Sequence, residues 1–125
     1  MTDIPDRSPL IPSLKVPDVE TAVAFYAGIL GFEPTGRWEA AGELVWAEMT
    51  RGKARLWFFR DAQDPLDKPA LTGFLYIFVD DVDAEAARLK DKVKTVWGPE
   101  DMEYGLREFG FEDLNGYRLV FAKDI

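Results

Sequence analysis

Two stretches decide the fold of this chain, because they are nearly the same and lie 79 − 16 = 63 residues apart: Val16-Pro17-Asp18-Val19 and Val79-Asp80-Asp81-Val82. In each stretch an apolar strand-like segment ends at a valine, and apolar residues with helical spacing follow the aspartate. Aspartate is a favoured helix N-cap, since its carboxylate accepts a hydrogen bond from an unpaired N–H group of the first turn. Asp18 and Asp81 are therefore predicted to cap two equivalent helices.

The same offset relates further identical residues in the same order along both halves: Ala24/Ala87, Arg55/Arg118, Leu56/Leu119 and Phe58/Phe121. Such a repeat indicates duplication of one supersecondary unit. Turn residues and alternating apolar residues predict strands at 10–16, 33–40, 43–50, 53–59, 74–79, 95–97, 106–112 and 117–122. We therefore predict an α+β fold of two βαβββ modules. They span about residues 10–60 and 73–123 of a single domain, 1–125, and a polar linker at 61–69 joins them.

Composition excludes several function classes. The chain has 125 residues, with 15 Lys and Arg against 23 Asp and Glu, a net charge of −8. Such a balance disfavours nucleic-acid and membrane partners, since no surplus of cations meets their phosphates. The absence of Cys and His excludes disulfides, thiolate or imidazole metal sites and catalytic triads. We see no signal-like or membrane-spanning segment in the sequence, and we expect a cytoplasmic protein.

Further motifs accompany the two capped helices in a fixed order: Ala24-Phe25-Tyr26, Leu30-Gly31-Phe32, YGLREF at 104–109 and DLNGYRL at 113–119. With this order and spacing the chain, from about residue 10 to 123, resembles the vicinal oxygen chelate superfamily. That superfamily includes glyoxalases, extradiol dioxygenases and bleomycin-resistance proteins. The resemblance implies two modules whose curved mixed sheets surround a cleft. It also implies a homodimer, with domain-swapped, unswapped and monomeric arrangements left open.

The resemblance also implies where a metal ion would be held. Metal-binding members use His, Gln or Glu on the first, fourth, fifth and eighth strands, and these positions fall here at Ile11, Trp57, Phe74 and Val120. None of these side chains can coordinate a divalent cation. The chain is thus most similar to the metal-free, bleomycin-resistance-like branch, and we predict neither a metal nor another cofactor.

Alternation along strands predicts which side chains face the cleft, since every second residue shares one face of a sheet. On the third and seventh strands, the 63-residue offset matches Trp46 with Phe109 and Leu44 with Arg107. The predicted ligand-binding residues are Ile11, Trp46, Glu48, Arg55, Trp57, Phe59, Phe74, Tyr76, Arg107, Phe109, Arg118 and Val120. The aromatic residues of this face can instead form a core between the two halves or across a dimer.

These residues favour a small-molecule binding protein over an enzyme. We expect it to sequester an aromatic compound, and its negative charge would attract a cationic one. In an alternative, a metal-independent lyase or isomerase uses Glu48 as base, with its pKa raised by burial, while Arg107 or Arg118 holds an anionic substrate. A metal-dependent enzyme with atypical ligands and a subunit with an aromatic protein interface also remain open. The segment 104–108 is either an anion-binding loop that uses Arg107 or an Arg107–Glu108 pair that braces a strand end.

Overall fold

The computed structural model describes residues 10–61 and 71–125, which form two modules. The first contains β1 (Ser13–Lys15), α1 (Val19–Gly28), β2 (Glu33–Ala40), β3 (Glu43–Arg51) and β4 (Ala54–Phe59). The second contains β5 (Leu75–Phe78), α2 (Val82–Leu89), β6 (Lys94–Asp101), β7 (Leu106–Glu112) and β8 (Arg118–Asp124). The chain divides into two compact units, 1–67 and 68–125, each with one module. All of the predicted linker except Asp61 lies outside the described residues.

Each module forms one four-stranded mixed sheet. The strand order is β1-β4-β3-β2 in the first sheet and β5-β8-β7-β6 in the second. The pairs β1–β4 and β5–β8 are parallel, and the other neighbouring strands are antiparallel. The prediction of an α+β fold made of two βαβββ modules is therefore confirmed. Neither α1 nor α2, the helices of the described residues, has the length and apolar composition needed to span a lipid bilayer.

The two repeated aspartates cap the helices in the same way. The Asp18 carboxylate accepts a hydrogen bond of 3.1 Å from the backbone N–H of Thr21. The Asp81 carboxylate accepts one of 3.0 Å from the N–H of Ala84. Each bond satisfies an N–H group that has no partner within its helix. The sequence repeat therefore corresponds to a repeat of local structure.

Each sheet has one face that packs against the helix of its own module, which we call the helix face. In the first module Tyr26 of α1 is fully buried, and its ring lies 4.8 Å from that of Phe58. In the second module the helix face is a buried aromatic cluster in which the Phe111 ring lies 5.4 Å from Phe109 and 5.1 Å from Phe121. We call the other side of each sheet the opposite face, and the predicted site residues were expected there.

The two modules differ in the turn that precedes their last strand. Four residues, 51–54, separate the paired residues Thr50 and Arg55, whereas five residues, 113–117, separate Glu112 and Arg118. The extra residue changes the offset between β3 and β7 to 62, although β4 and β8 keep the offset of 63. The match of Trp46 with Phe109 is therefore wrong. Trp46 pairs with Phe59 across its sheet, and the equivalent pair in the second module is Glu108 with Ala122.

Candidate functional site

The opposite face of the first module holds a carboxylate surrounded by donors. Glu48 on β3 lies beside Trp57 on β4 in the sheet register, and its carboxylate accepts a 2.8 Å hydrogen bond from the indole Nε1 of Trp57. Arg55 donates a second bond of 3.1 Å, and the hydroxyl of Thr35 donates a third of 2.9 Å. The Trp46 ring lies 5.5 Å from that of Trp57 in an edge-to-face arrangement. The face thus combines two indoles with a paired carboxylate.

The electrostatic setting of Glu48 does not suit a general base. Burial acts to raise its pKa, but the hydrogen bonds from Trp57, Thr35 and Arg55 outweigh burial, so the pKa lies below the ordinary value. A general base is most efficient when its pKa lies near the operating pH, and it needs an oxygen that can reach a substrate proton. The condition on which the enzyme alternative depended, a pKa raised by burial, is therefore not met.

The opposite face of the second module holds another carboxylate, which belongs to Glu108 on β7. This side chain is fully buried. Its carboxylate accepts hydrogen bonds of 3.0 Å from the Tyr76 hydroxyl, 2.7 Å from the Tyr104 hydroxyl and 3.1 Å from the Trp97 indole. Three donors to one carboxylate fit its ionised form, which only accepts hydrogen bonds. Glu108 therefore joins aromatic residues from β5, from β6 and from the loop before β7.

A glycine on β7 lets Trp97 reach this carboxylate. The β6–β7 register shifts on both sides of Trp97, and the indole lies over Gly110. A Cβ at position 110 would lie only 2.6 Å from the Trp97 ring, a distance that real Cβ atoms do not show. The Phe74 ring completes the arrangement, edge-to-face with Trp97 at 4.9 Å.

Around Glu108 the second module exposes an aromatic patch, which we define as Phe74, Tyr76, Phe78, Trp97 and Tyr104. Exposure is 40% for Phe74, 44% for Tyr76, 60% for Phe78 and 64% for Tyr104. Burial and the Glu108 carboxylate raise the pKa of Tyr76. The hydrogen bond to Glu108 is the main cause that raises the pKa of Tyr104 above its usual range. Both phenols therefore stay protonated at neutral pH and donate to Glu108.

The structure places most of the predicted site residues on the opposite faces, in two groups. In the first module Trp57 contacts both Trp46 and Glu48, and Glu48 also contacts Arg55. Phe59 pairs with Trp46, and Ile11 precedes β1. In the second module Phe74 and Tyr76 belong to the aromatic patch. The Arg118 guanidinium lies 5.8 Å from the centre of the Phe74 ring, and Val120 is buried between Tyr76 and Gly110 in the register. Their role in ligand binding stays a prediction.

Two predicted residues lie on the helix face instead. Phe109 is only 1% exposed and stacks on Phe111 in the core. Arg107 forms ion pairs of 2.8 Å with Asp83 of α2 and 2.9 Å with Asp101 of β6. The predicted orientation is wrong for both because the longer turn after β7 shifts the register by one residue and exchanges the faces. Arg107 also does not pair with Glu108, so the proposed brace between them is wrong.

Sequence reasoning missed Glu108, Trp97 and Tyr104. The sequence predicts Glu108 and Tyr104 only as parts of a loop or an ion pair, and it predicts no role for Trp97. The turn between β7 and β8 held the signal that could have found Glu108. Asp113 accepts hydrogen bonds from the backbone of Asn115 and Tyr117 within it, and this side-chain-stabilised turn is one residue longer than its counterpart after β3.

The residues present do not fit the metal site that the superfamily resemblance implies. Ile11, Phe74 and Val120 carry hydrocarbon side chains, and the indole of Trp57 is only a hydrogen-bond donor. Within residues 10–61 and 71–125, no three acidic side chains are grouped so that they could hold a metal ion. No step of a mechanism is therefore assigned to a metal.

A separate recess of about 390 Å³ opens beside the first turn of α1. Its lining includes Asp18, Glu20, Glu39, Glu43 and Arg60. Arg60 pairs with Glu43, and Arg37 pairs with Glu20 and Glu39 at 3.3 and 3.4 Å. The recess is thus bordered by exposed ion pairs and contains none of the predicted site residues.

Comparison with known proteins agrees with this architecture. Residues 12–121 match the family model of the Glyoxalase/Bleomycin resistance protein/Dioxygenase superfamily. No curated protein matches the chain. Among solved structures, TioX from Micromonospora sp. ML1 is 23% identical with a TM-score of 0.74, and the match covers 94% of this chain and 97% of TioX.

Two structures from Streptomyces sp. CB03234 are also similar. TnmS3, described as an antibiotic binding protein, is 24% identical with a TM-score of 0.71 over 93% of this chain and 96% of its own. A glyoxalase/bleomycin resistance protein is 26% identical with a TM-score of 0.71 over 90% of this chain and 97% of its own. The family match and the two βαβββ modules lead to one conclusion: the chain belongs to the Glyoxalase/Bleomycin resistance protein/Dioxygenase superfamily.

Proposed function

We propose that this protein binds a small aromatic molecule on the aromatic patch of the second module and sequesters it without chemical change. The observation that carries this proposal is the exposure of Phe74, Tyr76, Phe78 and Tyr104, each at least 40% accessible, around one buried carboxylate. Contiguous exposed apolar surface is uncommon on soluble domains and marks binding sites. Aromatic rings in a fixed arrangement bind planar ligands by stacking and edge-to-face contact.

The patch is suited to binding because its rings are already held in place. Tyr76, Tyr104 and Trp97 each donate a hydrogen bond to Glu108, and Phe74 packs on Trp97. Side chains that are fixed before a ligand arrives lose little conformational entropy when it binds, so more of the contact energy appears as affinity. The description of TnmS3 as an antibiotic binding protein supports the same class of function for this chain.

Sequestration is favoured over catalysis by the condition of the two carboxylates. Glu48 and Glu108 each accept three hydrogen bonds from neighbouring side chains. A general base must give an oxygen to the substrate proton, and here that would require breaking a bond that the protein already makes. We therefore expect the ligand to be recovered unchanged.

A tryptophan-fluorescence titration with bleomycin and a panel of aromatic compounds tests the proposal, since Trp97 lies in the patch. We expect saturable quenching near one ligand per chain, and mass spectrometry should recover the ligand unmodified. Phe74→Ala should weaken binding roughly tenfold through the loss of one aromatic contact. Leu114→Ala, an exposed apolar residue in the turn before β8, is the control and should leave affinity unchanged.

The first module supplies the second part of this test. Trp57→Ala removes an indole of the predicted site in that module, and loss of binding would assign Trp46, Trp57 and their neighbours to the ligand site as well. Binding that is unaffected by both Phe74→Ala and Trp57→Ala, or no binding across the panel, would refute the proposed function.

A further inference from the structure

Glu108 is a buried charge whose hydrogen-bond partners are all neutral. Among residues 71–125 no Lys or Arg side chain forms an ion pair with it, and its three partners are two phenols and an indole. The carboxylate of the first module is different, because Arg55 lies 3.1 Å from Glu48 and compensates its charge. A buried anion without a cation partner creates a negative potential at the groups that surround it.

This potential reaches the exposed side of the patch through the two tyrosines. A phenol that donates its proton to a carboxylate becomes more electron-rich at its oxygen and its ring, and hydrogen bonds in such networks polarise one another. Electron-rich ring faces attract cations. One cationic side chain of the protein itself already lies against the patch, since the Arg118 guanidinium is 5.8 Å from the centre of the Phe74 ring.

We infer that Glu108 is a specificity-determining residue that makes the aromatic patch select cationic aromatic ligands over neutral ones of the same shape. This inference rests on the proposed function, because it names the ligand class of that same patch. Glu108 does not touch the ligand, as its side chain is fully buried. It acts through Tyr76 and Tyr104, whose hydroxyls it orients and whose rings it polarises.

A matched pair of probes tests the inference with the full-length protein. N-methylquinolinium carries a positive charge, and N-methyl-2-quinolone is a neutral molecule of nearly the same shape. Isothermal titration calorimetry should show roughly tenfold tighter binding of the cation, as expected for one charge separated from the ligand by a hydroxyl group and partly screened by solvent. Glu108→Gln should abolish the preference, so that the two probes bind with affinities within about twofold of each other.

Glu108→Gln keeps the shape of the side chain, and the tyrosine hydroxyls can turn to accept hydrogen bonds from the new amide. The control is Asp91→Asn, which removes the same net charge from the turn after α2 and should keep the preference. A preference that falls equally in both variants would assign the selectivity to net charge and overturn the role of Glu108.

The outcomes separate this inference from the proposed function. Equal affinity of the unmodified protein for the two probes overturns the inference and leaves the proposed function standing, and this comparison needs no variant. If neither probe binds, the result counts against both the inference and the proposed function. Tyrosinate absorbance adds a spectroscopic signature: Glu108→Gln should lower the pKa at which Tyr104 ionises, which a purely structural role would not require.

Discussion

The two modules share a chain plan, yet the burial and the partners of a carboxylate on the same face of the sheet differ between them. In the first module Glu48 is paired with Arg55 and its side chain is 13% exposed. In the second, Glu108 is fully buried, and its donors among the described residues are neutral. An indole N–H donates to the carboxylate in both modules, from Trp57 at 2.8 Å and from Trp97 at 3.1 Å. The difference therefore lies in the other two partners of each carboxylate.

That difference shows how two modules with the same chain plan can provide two different electrostatic environments. A charge compensated by an adjacent guanidinium contributes little field beyond the pair, whereas an uncompensated buried charge polarises everything that surrounds it. Glu108 moreover does not occupy the position equivalent to Glu48, because the β7 position that matches Glu48 is Gly110. The two carboxylate–indole pairs thus have different positions within their sheets.

The largest expected effect that tests this contrast comes from truncating each carboxylate. Glu108→Ala leaves three partly buried donors without an acceptor and opens a cavity where a fully buried side chain was, so we expect a loss of about 3 kcal/mol in the free energy of unfolding. Glu48→Ala should cost only about 1–2 kcal/mol, because water can reach the donors at a partly exposed site. Urea unfolding at pH 7 measures both. Equal losses would show that the two settings are energetically alike.

A methyl group added beneath each indole should give the next largest effect. Gly110→Ala would place a Cβ 2.6 Å from the Trp97 ring, whereas Gly36→Ala would place one 3.0 Å from the Trp46 ring. We expect a loss of about 2 kcal/mol for Gly110→Ala and less than about 1 kcal/mol for Gly36→Ala. Urea unfolding measures the losses, and tryptophan fluorescence reports whether Trp97 moves. A larger loss for Gly36→Ala would contradict the tighter fit of the second module.

The contributions of the two modules to stability should also depend on pH at opposite ends of the scale. The contribution of the second module should fall in alkali. The pKa values of Tyr76 and Tyr104 lie above 10.0 in the folded protein, so the stability they contribute is complete below pH 10 and is lost as pH rises beyond it. Tyrosinate absorbance just above pH 10 should therefore be unchanged in Tyr104→Phe and increased in Glu108→Gln. A decrease in Tyr104→Phe would mean that Tyr104 ionises normally.

The smallest expected effect lies on the acid side, in the first module. The pKa of Glu48 is lower in the folded protein than its ordinary value of 4.5, so its contribution is complete above pH 4.5 and is lost as pH falls through the folded pKa. The difference in unfolding free energy between the unmodified protein and Glu48→Gln should be constant from pH 7 to 5 and shrink below 4.5. Glu33→Gln, exposed on β2, controls for net charge. A difference that grows on acidification would reverse the assigned shift.

The sequence predicted the fold because its signals are local and occur twice. Asp18 and Asp81 cap helices at their predicted positions, and β2 and β7 have their predicted bounds. Alternation also identified the exposed rings of Phe74 and Tyr76. The prediction failed at Arg107 and Phe109, because a fixed offset cannot register one additional residue in a turn. A shift of one residue in a strand exchanges the two faces of the sheet, so this small error moved every side chain of β7.

The sequence by itself determined the repeat, the helix caps, the absence of metal-binding side chains at the expected positions and the aromatic character of one face of the sheets. These properties depend on residue types and on short-range spacing. Only the tertiary structure decided that Glu108 accepts hydrogen bonds from Tyr76, Trp97 and Tyr104, since these donors lie 32, 11 and 4 residues from it along the chain. Strand pairing and the shifted β6–β7 register bring them together, and neither is encoded in any single segment.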